Sequence, residues 1–126
     1  MSRDIVALVR NMPDVPAILA GVAAAGGDLL VLPPTAGAVV RLGDSPDGQT
    51  ARPLLRVDEP ILVSVPGEVA RLLGTAVAEQ VSTPVWWIEV RAAATPEHAF
   101  EAGYRFAVAL VDRLDGAVWP TRPDGV

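Results

Sequence analysis

The sequence predicts an α+β domain: a mixed or antiparallel sheet with about three helices packed mainly on one face. Strand-like runs of β-branched and apolar residues are interspersed with helical stretches. Between residues 29 and 65 four such runs follow one another with only turns between them, which favours hairpins over a succession of βαβ units. The length of 126 residues and the hydrophobic share of 51% suit one domain with its own core. No linker or internal repeat divides the chain, so residues 1–120 are read as a single domain and 121–126 as a flexible tail.

In order, residues 4–10 (DIVALVR) read as a first strand. Asp14 is placed to cap a helix with Pro16 in its first turn. Val15, Ile18, Leu19 and Val22 recur at i, i+3, i+4 and i+7 and predict its buried stripe, and Gly26-Gly27 ends it. Residues 29–32 form a short strand stopped by Pro33-Pro34, and 38–43 a second strand that ends in the turn Asp44-Ser-Pro-Asp-Gly48. Residues 53–58 and 61–65 read as two strands joined in a hairpin at Glu59-Pro60.

A helix is expected over about 66–80, weakened at Gly74, and Pro84–Ala93 is the most regular strand pattern in the chain. Thr95-Pro-Glu-His has the composition of a helix start, with Thr95 as the cap. That helix should reach Leu114 with a stripe of Phe100, Tyr104, Ala107, Val108, Val111 and Leu114, and with Glu101 and Arg105 paired outside. Asp115-Gly116 ends it, and residues 117–119 form a last strand. The run from Pro84 to Pro120, PVWWIEVRAAATPEHAFEAGYRFAVALVDRLDGAVWP, resembles the ends of small actinobacterial proteins of unknown function. There too a Trp-bearing strand, a long helix and a Gly-x-Val-Trp strand follow one another. The resemblance covers the last third of the chain, its motif is structural, and it implies no activity and no functional residue.

Composition narrows the function classes. There is no cysteine, hence no disulfide, thiolate nucleophile or thiolate metal site, and the lone histidine, His98, cannot build a multi-histidine centre. All ten basic residues are arginine, a bias like that of GC-rich genomes, and without lysine there is no P-loop. A net charge of −5 argues against nonspecific nucleic-acid binding. The N-terminus lacks the pattern of a signal peptide, and glycines and prolines interrupt the most apolar stretch, 15–40, so a cytoplasmic location and no membrane partner are expected. Asp44, Asp47, Asp58 and Glu59 flank turns, where aspartate serves the backbone, and lack the spacing of a calcium loop. His98 has no nucleophile or acid fixed to it by a motif. No catalytic residue, metal or cofactor is expected.

One surface stands out. Trp86 and Trp87 are consecutive in a strand and must point to opposite faces. Trp86 shares the apolar face with Ile88, Val90 and Ala92, and Trp87 shares the other with Glu89 and Arg91. Arg10, Arg41 and Arg56 similarly alternate with aliphatic residues opposite wholly apolar faces. With the helices on one side, Trp87, Glu89, Arg91, Arg41, Arg56 and Arg10 would lie on an open second face, rich in the residue types that dominate binding hot spots. The function expected is a non-enzymatic protein-interaction module, a homodimer through that face, in an immunity-like, adaptor or assembly role. The alternatives are a binder of a small anionic metabolite through the arginines, and then an enzyme using His98.

Overall fold

The computed structural model describes residues 2–121 and contains seven strands and four helices, an α+β fold. The elements are β1 (Ser2–Val9), α1 (Val15–Ala25), β2 (Leu30–Val31), β3 (Ala38–Asp44), β4 (Arg52–Asp58), β5 (Ile61–Val63), α2 (Glu68–Leu73), α3 (Thr75–Ala78), β6 (Val85–Ala93), α4 (His98–Leu114) and β7 (Gly116–Trp119). All strand pairs are antiparallel, in the order β2-β3-β4-β6-β1-β7, with β5 also paired to β6. The tail expected at 121–126 lies, beyond Thr121, outside the described residues.

β1 and β6 occupy the middle, and their registers divide the sheet into two faces. Ile5, Ala7, Val9, Ile88, Val90 and Ala92 face the long helices α1 and α4 and are buried with Phe106 and Leu110 of α4. Val6, Leu8 and Val85 face the other way and are buried with Val69 of α2 and Val77 of α3. The helical mass thus lies mainly on one face, but the helix expected over 66–80 is cut at Gly74 (φ 94°) and its two short pieces cover part of the second face.

α4 lies close on the sheet because it presents small residues there. A methyl group on Gly103 would stand 3.0–3.3 Å from Leu55, Ile5 and Val90. Ala99 and Ala102 are buried on the same side, whereas Phe100, Tyr104 and Val108 of the expected stripe sit at its partly buried margin. Thr95 does not cap the helix; its first residue is His98, and Glu97 at the cap position makes no side-chain capping bond.

α1 is capped as expected, the Asp14 carboxylate accepting from the Ala17 N–H at 2.9 Å, yet it is turned from its predicted orientation. Ala17, Gly21 and Ala25 are its buried positions, and Val15 and Leu19 face out. The cause is α4: a Cβ on Gly21 would fall 2.8 Å from the buried Phe106 ring, so the small-residue ridge must face inward. Arg105 leaves its expected partner Glu101 and donates to the Ala24 and Ala25 carbonyls at 3.1 and 2.9 Å. It thereby satisfies the end of α1, where the helix dipole also favours a cation.

Glu59-Pro60 does not close a hairpin. β4 and β5 both pair with β6, β4 along Val90–Ala92 and β5 along Val85–Trp87, so they run one after the other down the same side of it. Pro60 lacks an N–H for a continuous ladder, and the bend there separates the two pieces.

Candidate interaction surface

The expected second-face residues assemble from three strands. Arg41 of β3 lies directly opposite Arg56 of β4, which lies opposite Arg91 of β6, which lies opposite Asp4 of β1. This row crosses the part of the second face that α2 and α3 do not cover. Three arginines abreast would repel one another, and a carboxylate of the same face, Asp58, stands between Arg56 and Arg91. Asp58 accepts from Arg56 Nε at 2.6 Å through one oxygen and from Arg91 Nε at 3.0 Å through the other. Arg91 also donates to Glu89 at 3.0 Å. The guanidinium of Arg91 is held more firmly protonated than usual, chiefly by its hydrogen bond to Asp58 and then by the Asp58 and Glu89 charges.

Backbone carbonyls take other donors. Arg56 Nη2 reaches the Ala36 carbonyl at 3.0 Å and Arg41 Nη1 that of Pro33 at 2.9 Å, pinning the Pro33–Gly37 loop over the edge of the row. The patch is therefore a partly exposed lattice in which Arg56 and Arg91 share Asp58, Arg91 also holds Glu89, and Arg41 is held by a backbone carbonyl.

Trp87 lies nearer the covered half. It is partly buried against the cluster of Val6, Leu8, Val69, Val77 and Val85, with Val63, Leu73 and Val81 around it. The expectation of an open Trp87 is corrected in that respect: the Val69 and Val77 positions of α2 and α3 find their apolar partner there. Arg10 stands apart from the row. The chain leaves β1 at Val9, so the pleat no longer sets its direction, and Arg10 instead lies 3.6 Å from Asp115 with both side chains largely exposed.

His98 approaches Asp44 at 3.6 Å, and Arg52 grips the same carboxylate at 2.6 and 3.1 Å. The Asp44 carboxyl is held below its ordinary range, first by the Arg52 hydrogen bond and further by the Arg52 and His98 charges. This cluster ties the start of α4 to the end of β3, and no serine or threonine hydroxyl is hydrogen-bonded to the imidazole among the described residues. The Asp47 carboxylate is occupied by its own turn, accepting from the Gln49 and Thr50 N–H groups at 2.8 Å. Among the described residues no group of three or more His, Asp or Glu side chains is placed to hold a metal ion, and no helix is long and apolar enough to cross a membrane.

The clefts are open grooves rather than enclosed pockets. A groove of about 400 Å³ runs between Arg10, Gln80, Ser82, Thr83 and Asp115 at the end of the sheet where β6 and β7 begin.

Sequence reasoning passed over the exposed apolar edge. Ile61 of β5 lies opposite Trp87 on the second face and is 64% exposed; Leu62 lies opposite Trp86 on the helix face and is 48% exposed. Val65 just beyond is 65% exposed, and Leu72 of α2 is exposed as well. The signal was present in the uncharged run from Pro60 to Pro66, PILVSVP, but the expected hairpin gave that run a partner on β4. A second exposed apolar group, Met12, Val15 and Leu19, follows from the turn of α1. Compared with models of protein families, with curated proteins and with solved structures, the chain matches none.

Proposed function

We propose that this chain is a non-enzymatic protein-interaction module that self-associates as a homodimer, in an adaptor or assembly role in the cytoplasm. The observation that carries this reading is the exposure of Ile61, Leu62 and Val65 within one uncharged run beside Trp87. Every buried side-chain polar atom of the described residues meanwhile has its partner. Single exposed aliphatic residues are ordinary, but several in one short uncharged segment mark a contact surface. The arginine lattice beside it supplies both signs of charge, which suits orienting a partner as a polar rim does.

Binding of a small anionic metabolite by Arg41, Arg56 and Arg91 is favoured less, because a ligand would have to displace Asp58, Glu89 and two backbone carbonyls from guanidiniums they already satisfy. A thermal-shift series with phosphorylated and carboxylated metabolites should leave the melting temperature unmoved; a clear rise with one of them would favour that reading instead. Catalysis through His98 is weaker still, and loss of a discovered activity on His98→Ala would revive it.

Light scattering on a sizing column tests the main reading. The wild-type chain should elute as a dimer, and Ile61→Asp, at an exposed position, should elute as a folded monomer of 13.2 kDa. Identical masses for the two would remove Ile61 from any contact.

A further inference from the structure

We infer that two copies of the chain pair through the open edge of β5, antiparallel and about a two-fold axis at Leu62, so that their sheets join into one continuous sheet. The inference rests on the self-association proposed above and names its contact.

The sheet topology creates the opening. β3 covers the outer side of β4 as far as Ala38 opposite Asp58, and the Glu59 N–H to Gly37 carbonyl bond at 3.0 Å is the last link. Past that point β5 has β6 on one side and, among the described residues, no strand on the other. A row of unpaired backbone donors and acceptors follows, of the kind that folded proteins usually guard with charges or a covering element. Here Pro60 and Pro66 bound the segment and no charge lies between them. The other edges are less inviting: β2 has two residues and runs into Pro33-Pro34, while β7 lies between Asp115 and Pro120 with α3 packed near it.

A second copy is the occupant that the chemistry selects. Two chains of net charge −5 repel on approach, so the favourable meeting point is a segment that carries none of that charge. A strand set antiparallel against its own copy is self-complementary: Ile61 of one copy meets Val63 of the other, and Leu62 meets Leu62. Because Ile61 and Leu62 lie on opposite faces of the sheet, pairing shields apolar surface on both. Ile61 and Leu62 are 64% and 48% exposed and Val65 just beyond them 65%, so pairing at this edge takes apolar side chains of each copy out of water.

The absence of cysteine makes the test clean. Leu62→Cys introduces a single thiol at the axis, where Cβ atoms directly opposite in an antiparallel pair stand about 4.5–5.5 Å apart, near the span of a disulfide. Under mild oxidation this variant should form a covalent dimer at least about tenfold faster than Val15→Cys, whose thiol lies on the outer side of α1. Leu62→Lys should be a folded monomer whose melting temperature, unlike that of the wild type, does not rise with protein concentration. If the wild type is a dimer but Leu62→Cys links no faster than Val15→Cys and Leu62→Lys still dimerises, the edge contact is wrong while self-association stands. If the wild type stays monomeric up to about 100 μM, a Kd range that any working homodimer should reach, both fail. A monomeric wild type that binds unrelated extended peptides in competition with Leu62→Lys-sensitive sites would overturn the second copy as occupant.

Discussion

Gly116 sets a close approach of two strands. A Cβ there would stand 1.8 Å from the Leu8 carbonyl oxygen, so β7 can lie against β1 only with glycine at this place, directly after Asp115 has turned the chain at φ 63°. Gly116→Ala should lower the urea midpoint more than any single alanine substitution on the surface, and an unchanged midpoint would mean that β7 does not pair as described. Phe106, fully buried between α1 and the sheet, should cost about 3–5 kcal/mol when truncated to alanine, read from the same denaturation curves. The faces of Trp86, Trp87 and the arginines were legible in the sequence, because side chains alternate along a strand whatever its neighbours are. That Asp58 would bridge Arg56 and Arg91 was not legible, since it depends on the register of two strands 33 residues apart at that contact.

At the scale of elements, periodicity located the helices but did not orient them. α1 is apolar nearly all round, so the stripe Val15-Ile18-Leu19-Val22 and the ridge Ala17-Gly21-Ala25 compete for the inside, and the bulk of Phe106 decides for the ridge. Two substitutions separate these orientations. Leu19→Gln should change stability by less than about 0.5 kcal/mol, whereas Ala17→Leu should cost about 1–3 kcal/mol by overpacking, both measured by urea unfolding. The reverse ranking would restore the orientation expected from the spacing alone. The same limit explains the missed edge. β4 and β5 carry good strand patterns, and only the pairing of both with β6 shows that the bend at Pro60 leaves β5 half unpaired.

For the whole molecule, three carboxylates respond to acid in the same sense. Asp44 is held below its usual range first by Arg52, Asp47 by the Thr50 and Gln49 N–H groups, and Glu68 by Arg71. A depressed carboxyl in the folded state contributes stability above the pH at which the unfolded chain ionises, and that contribution disappears as pH falls through the folded value. The melting temperature should therefore hold from neutral pH down to about 5 and decline below about 4, with a shallower decline in Asp44→Asn. A decline that begins above pH 6 would point to other groups. The α+β architecture and its largely one-sided helices followed from composition and pattern, while the part of the surface left for contact emerged only from the complete strand order. Sedimentation equilibrium of the unmodified chain over a range of concentrations bears most directly on self-association. The account predicts a concentration-dependent approach to twice 13.2 kDa, and a single 13.2 kDa species throughout would contradict it.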